Sequence, residues 1–96
     1  MYFMKEIEIN GLKYRVIENV KDALDIELLA EKITDYFADY DYIVGDWAYG
    51  KVRLKGFNNK AHKNFKDYND IGQLSNYVEK YCAYGCSWFQ IERIRD

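Results

Sequence analysis

The two cysteines and the single histidine are the residues with the most reactive side chains in this chain. Cys82 and Cys86 are separated by one residue more than in a Cys-x-x-Cys motif, and no neighbouring base marks either thiol for activation. A structural zinc site needs four ligands, and only His62, in a polar segment typical of an ordinary surface loop, could add a third. The pair therefore predicts two structural thiols and neither metal nor cofactor. A disulfide is the alternative if the two Cα atoms lie within about 7 Å.

Asp46 is the acid with the most suggestive neighbours, because Trp47 follows it and Arg53 is close in sequence. A single carboxylate does not form the pair that general acid–base catalysis needs. The segment from Gly45 to Gly50 lacks the Gly-Lys-Ser/Thr ending of a phosphate loop. The residue types argue against an enzyme, and a small metabolite-binding protein or enzyme built on Asp46 is the weakest alternative.

The segment KVRLKGF, residues 51–57, alternates basic and apolar residues. Such alternation predicts a strand whose successive side chains point to opposite faces of a sheet. Basic and aromatic groups on one face could contact phosphates and stack on bases. The sequence predicts a nucleic-acid surface from Lys51, Arg53, Lys55 and Phe57, extended by Trp47 and Tyr49 in the preceding turn. The alternative is a solvated strand face whose bases pair with acids elsewhere in the chain.

Charge is divided between two neighbouring segments. Residues 22–46 carry eight acids and one base, a net charge of −7, whereas residues 51–66 carry six bases and no acid, a net charge of +6. Local fields of this kind steer partners, although the net charge of −2 by itself implies no nucleic-acid ligand. The two segments could equally neutralise one another in the fold.

Two hairpins and two helices are predicted to position these groups. Alternating runs around Asn10-Gly11 predict a hairpin with strands at 4–9 and 12–18. A second hairpin is expected at 41–46 and 50–57, with its turn between Gly45 and Gly50. An apolar stripe predicts a helix over 22–39, capped by Asp22 or Asp25, with a negative solvated face at Glu27, Glu31 and Asp35.

The rest of the chain completes an α+β arrangement. Residues 58–69 are polar and predict a loop with a short edge strand near 62–66. A second helix is expected over 70–82, with Asp70 as N-cap and Gly85 as C-cap, and a last strand over 87–94. The order ββ-α-ββ-α-β predicts a mainly antiparallel sheet with two helices packed on it.

Length and composition place the chain among globular proteins. Its 96 residues are 49% hydrophobic and 31% charged, which predicts a single domain over 1–96. No apolar run of about 18 residues suits a membrane helix, and the start does not resemble a secretory signal. A cytoplasmic location is therefore expected, where cysteines are normally reduced.

Several motifs together give the chain a family likeness. They are Asn10-Gly11-x-x-Tyr14, Tyr40-Asp-Tyr-Ile-Val-Gly-Asp-Trp47, Tyr49-Gly50, Arg53-Leu54-x-Gly56-Phe57, and Tyr81-Cys82 with Gly85-Cys86. Over nearly its whole length the chain resembles the YutD-like family, small cytoplasmic bacterial proteins of unknown function. The resemblance implies an α+β fold and a bacterial cytoplasmic setting. It transfers no catalytic residue, and Ala48 stands where the family usually has glycine.

These observations predict a non-catalytic binding or regulatory module. Its first expected ligand is RNA or another nucleic acid, held on the basic and aromatic strand face. The alternative is a domain for protein–protein interaction or self-association, in which the acidic helix face and the basic strand contact a charged partner or a second copy.

Overall fold

The computed structural model describes residues 5–81 and 86–95. The described chain forms one sheet with the strand order β1-β2-β5-β3-β4, and every neighbouring pair is antiparallel. The strands are β1 (Glu6–Ile9), β2 (Leu12–Val20), β3 (Tyr42–Ala48), β4 (Lys51–Phe57) and β5 (Trp88–Arg93). The helices are α1 (Ile26–Lys32), α2 (Asp35–Ala38) and α3 (Leu74–Tyr81). The predicted α+β fold with an antiparallel sheet is confirmed, and the last strand lies between the two hairpins.

The first hairpin, β1–β2, turns at Asn10-Gly11 as predicted. Both turn residues have positive φ, 53° at Asn10 and 83° at Gly11, which suits the tight turn that matches the twist of the strands. The Asn10 side chain has a second use. Its amide nitrogen donates to the carbonyl oxygens of Ala30 at 2.9 Å and Ile33 at 3.0 Å, at the end of α1. One asparagine thus closes the turn and satisfies free carbonyl groups of the helix.

The predicted helix over 22–39 is wrong in its continuity, because two short helices stand in its place. α1 begins at the N-cap Asp25, whose side chain accepts a hydrogen bond from the Leu28 amide at 3.1 Å, as predicted for this residue. The backbone is then extended at Ile33 and Thr34 before α2 begins. β-Branched residues lose side-chain freedom in a helix, so interrupting the helix at Ile33 and Thr34 costs little free energy.

The predicted second helix starts in a tighter form than expected. Asp70 caps it as predicted, accepting a hydrogen bond from the Gly72 amide at 2.8 Å, but residues Ile71–Gln73 form a 3₁₀ turn before α3 begins. The predicted C-cap Gly85 lies outside the described residues. The edge strand expected near 62–66 does not form, since the loop there consists of turns.

The two faces of the sheet differ in what covers them. One face packs against α1 and the segment before it in an apolar core. Its buried members are Ile7, Ile9, Tyr14, Ala23, Leu29, Ile33, Ile43, Phe89 and Ile91. On the other face α3 lies over β4, where the Tyr77 and Phe57 rings meet edge to face at 5.4 Å. Over residues 5–81 and 86–95, the helices lack the length and apolar character needed to cross a bilayer.

Candidate interaction surface on the second hairpin

The second hairpin, β3–β4, turns later than the sequence predicts. β3 continues through Gly45 and Trp47 to Ala48, and the turn consists only of Tyr49-Gly50. Gly45 serves packing, because a Cβ atom there would lie 2.3 Å from the ring of the fully buried Phe89. The glycine that suggested a turn is thus a place where an aromatic ring of β5 approaches the backbone.

Asp46 and Arg53 face each other across the two strands and form an ion pair. Asp46 is 3% exposed, and its Oδ2 accepts from Nη2 of Arg53. The same Nη2 donates to the carbonyl oxygen of Tyr81, at the end of α3, at 2.8 Å. The hydrogen bond to Asp46 and its negative charge raise the pKa of Arg53 above its ordinary value. Arg53 therefore joins the sheet to α3, and it also joins the acidic and basic segments of the sequence.

Trp47 points to the opposite face from Arg53. It pairs across the strands with Val52 and packs against the apolar core. Its indole nitrogen donates to the carbonyl oxygen of Ala23 at 2.8 Å. The prediction that Trp47 extends the basic strand face is therefore corrected, since its ring is committed to the α1 side of the sheet.

Phe57 and Lys55 both contact aromatic rings on the face of the sheet that α3 covers. Phe57 is 2% exposed, so it cannot stack on a nucleic-acid base as predicted. The Lys55 ammonium lies 5.2 Å from the Phe57 ring centre and 5.8 Å from that of Tyr77, within cation–π range. The predicted surface of six residues is therefore not continuous, because α3 covers part of this face of β4.

Tyr49, Lys51 and Arg53 are the members of the predicted surface that remain exposed, and of these Arg53 is bound to Asp46 and to the Tyr81 carbonyl oxygen. Tyr49 is fully exposed and has a φ of 55°, in the left-handed region that disfavours a residue with a bulky side chain. Lys51 begins β4, which is an edge strand paired only with β3. The tip and outer edge of the second hairpin thus present an aromatic ring, a cation and strand backbone.

The loop over 58–70 is more ordered than its polar sequence suggests. Its ends are joined, because the Asn58 amide donates to the carbonyl oxygen of Asn69 at 2.7 Å and the Asn58 carbonyl accepts from Ile71 at 3.1 Å. Asn58 and Asn69 are buried, and their side-chain oxygens accept from the amides of Asp41 at 3.0 Å and Lys66 at 2.7 Å. A compact surface loop with joined ends can present its outer side chains rigidly.

A cleft of about 330 Å³ lies between α2 and this loop. We call it the tyrosine cleft; it is lined by Tyr36, Asp39, Tyr40, Asn58, Asn64, Lys66, Tyr68 and Asn69. The hydroxyl groups of Tyr36 and Tyr40 are 3.2 Å apart, and the Tyr40 ring lies against Gly56. This hydrogen bond, with burial and nearby negative charge, raises the pKa of Tyr40 to about 12. The sequence patterns do not predict this cleft; the one local signal for it is the i, i+4 spacing of Tyr36 and Tyr40.

His62 is not the ordinary surface residue that the sequence suggests. Its side chain is 9% exposed. Nδ1 accepts from the Asn64 amide at 2.9 Å, and Nε2 lies 2.7 Å from the carbonyl oxygen of Asp39. The ring therefore holds the loop to the end of α2. Within residues 5–81 and 86–95, no group of three or more His, Cys, Asp or Glu side chains is arranged to hold a metal ion.

Of the two predicted structural cysteines, only Cys86 lies within the described residues. Cys86 is disulfide-bonded, which differs from the reduced thiol that the sequence favoured. Cys82 lies outside the described residues, so the role of the pair stays a prediction.

Comparison with known proteins places this fold and its second hairpin in a family. Residues 8–92 match the family model YutD-like, described as "Putative antitoxin YutD-like". The chain belongs to the YutD-like family. It is 37% identical over 89 residues to "Putative antitoxin YutD" of Bacillus subtilis (strain 168), covering 93% of this chain and 98% of that protein. The solution NMR structure of B. subtilis yutD matches with a TM-score of 0.78 at 36% identity, covering 96% of this chain and 84% of that one. The predicted YutD-like resemblance is thus confirmed.

Proposed function

We propose that this YutD-like protein is a non-catalytic module that binds a partner protein through the tip and outer edge of its second hairpin. The observation that carries the proposal is Tyr49, which holds a fully exposed aromatic ring on a left-handed backbone. The B. subtilis relative carries the name "Putative antitoxin YutD", which is consistent with a binding role.

Tyr49 is hard to explain by folding alone. A left-handed conformation at a non-glycine residue costs on the order of 1–3 kcal/mol, and it persists where the surroundings or the function require it. The exposed ring buries no apolar surface that would offset this cost. Tyrosine is enriched among residues that dominate protein–protein binding, because its ring adds a large rigid contact area. A partner that covers the ring supplies the missing contact.

The outer edge of β4 offers a second means of contact. Because β4 is an edge strand, the N–H and C=O groups on its outer side can pair with an added strand. Lys51 lies on this strand and is exposed. Lysines on an edge discourage uncontrolled pairing between strands, yet they favour a partner with an acidic surface.

Site-specific photo-crosslinking tests this proposal in cells. The variant Tyr49→p-benzoylphenylalanine is expected to form a covalent adduct with a second protein, and the adduct should resist nuclease. The matched control is Lys13→p-benzoylphenylalanine, at an exposed position of the first hairpin, where no such adduct is expected.

Three outcomes would overturn the proposal. One is the absence of any adduct at position 49, and another is an adduct that nuclease removes, which would indicate a nucleic-acid ligand. The third is an adduct containing only a second copy of this chain, which would indicate self-association.

A further inference from the structure

We infer that the tyrosine cleft binds a nucleoside phosphate, either free or as one residue of single-stranded RNA. The inference is independent of the partner-binding role. The cleft lies beyond the last residue of β4 and Tyr49 lies before the first, so a strand of seven residues separates them. At about 3.3 Å per residue, this distance is roughly 20 Å.

The size and walls of the cleft suit a planar ligand. Its volume of about 330 Å³ is within the range of small-molecule sites, which begins near 300 Å³. Tyr36 and Tyr68 on its walls are 68% and 73% exposed, so their rings are available for contact. Aromatic side chains stack on nucleobases with little dependence on sequence, because every base has a π-face. Two accessible tyrosines beside one cleft can thus hold a base.

Polar groups in the cleft match the remaining parts of a nucleotide. Lys66 is exposed at its rim and supplies a cation for a phosphate group. Asp39 supplies carboxylate oxygens that can accept from the amino group of a base. Asn64 holds this carboxylate in place by donating to it at 2.8 Å, and His62 lies 3.9 Å from it. One carboxylate oxygen of Asp39 is therefore already held by a hydrogen bond before a ligand binds.

The cleft is preorganised on its floor and at one wall. Asn58 and Asn69 are buried and fix the loop through their side-chain hydrogen bonds. On the opposite wall Gly56 admits the Tyr40 ring, since a Cβ atom at position 56 would lie 2.3 Å from it. The hydrogen bond between the Tyr36 and Tyr40 hydroxyl groups holds the Tyr40 ring in this position. Little ordering of the protein would be needed on binding.

Titration of the full chain with nucleotides tests the inference, with nuclear magnetic resonance as the readout. The probes are the four ribonucleoside 5′-monophosphates, the corresponding nucleosides, inorganic phosphate and a short single-stranded RNA. Binding is expected to shift resonances of the tyrosine cleft. Saturation by monophosphates would indicate a free nucleotide, whereas binding of the RNA alone would indicate an RNA residue.

Matched variants separate stacking from phosphate contact. Tyr68→Ala should weaken binding about tenfold, and Tyr49→Ala, at an exposed tyrosine outside the cleft, should leave it unchanged. Lys66→Ala should lower the affinity for monophosphates to that for nucleosides, and Lys60→Ala, at an exposed lysine of the same loop, should not. Because all four side chains are exposed, the folded spectrum should persist.

The inference is overturned if no nucleoside phosphate or RNA shifts the cleft resonances. It is also overturned if binding occurs but the control variants weaken it as much as Tyr68→Ala and Lys66→Ala, because the ligand would then lie elsewhere. Binding of inorganic phosphate as tight as that of the monophosphates would show that the base contributes nothing to the affinity.

Discussion

The two hairpins of this protein have the same turn geometry, but their turn residues have different roles. Each turns over two residues with positive φ, Asn10-Gly11 in the first and Tyr49-Gly50 in the second. Asparagine tolerates this conformation, and the Asn10 side chain also binds the end of α1. Tyrosine tolerates it poorly, and the Tyr49 side chain is fully exposed. The first turn stabilises the fold, whereas the second holds the Tyr49 side chain outward and lowers the stability of the fold.

The strands behind the turns differ in the same way. In the first hairpin Ile7, Ile9 and Tyr14 are buried in the apolar core. In the second the buried residues include Asp46, whose Oδ1 has no hydrogen-bond partner in the described part of the chain. Burying a carboxylate is costly unless it is paired, so Arg53 has a structural role there.

The largest expected effect comes from adding a methyl group in each hairpin. Gly45→Ala should lower the free energy of unfolding by about 3 kcal/mol, because the new Cβ atom meets the buried Phe89 ring. Gly11→Ala meets nothing within 4 Å and should cost only about 1–2 kcal/mol, through its positive φ. Urea unfolding of both variants measures the difference. Equal losses would show that Gly45 is not required for packing.

The next effect concerns the Asp46–Arg53 pair. Asp46→Asn should lower the free energy of unfolding by about 1–3 kcal/mol, through the weakened charged hydrogen bond. Arg53→Met should cost more than Asp46→Asn but less than Gly45→Ala, because it leaves the buried carboxylate without its cation while the Arg53 side of the pair is half-exposed to water. Unfolding titrations at neutral pH rank the two variants. The reverse order would mean that Arg53 is dispensable to the fold.

A smaller effect is expected in alkaline solution. The folded-state pKa of Tyr40 is raised to about 12, whereas an unfolded tyrosine ionises near 10. The folded state therefore holds this proton more tightly. Its stabilising contribution is complete below about pH 10 and is lost as the pH rises through about 12.

Denaturant midpoints measured across this alkaline range test the assignment. Tyr36→Phe removes the hydrogen bond that raises the pKa of Tyr40 most, so the loss of stability with pH should be shallower in this variant. Tyr14, Tyr42 and Tyr77 also have raised pKa values and are retained in both proteins, so the difference between them isolates the cleft. Identical pH profiles would contradict this account of Tyr40.

The first hairpin could be predicted from sequence because its signals are local. Asn10-Gly11 specifies a turn, and the flanking alternation gives the strands. The second hairpin could be predicted only in outline. Gly45 is required by its packing against the Phe89 ring, and Phe89 is distant in sequence. Period-two alternation correctly separated Val52 and Leu54 from Arg53 and Lys55, but it could not show that α3 covers Phe57. The tyrosine cleft combines α2 with a distant loop, so local sequence patterns do not reveal it.

The central claim is that Tyr49 serves binding and Asn10 serves folding, and paired unfolding measurements test it most directly. Tyr49→Asn should raise the free energy of unfolding by about 0.5–1 kcal/mol, because asparagine tolerates the left-handed conformation. Asn10→Ala should lower it by about 1–2 kcal/mol, through its lost hydrogen bonds and the same backbone strain. A loss of stability in Tyr49→Asn as large as that in Asn10→Ala would contradict the account, because Tyr49 would then be part of the fold.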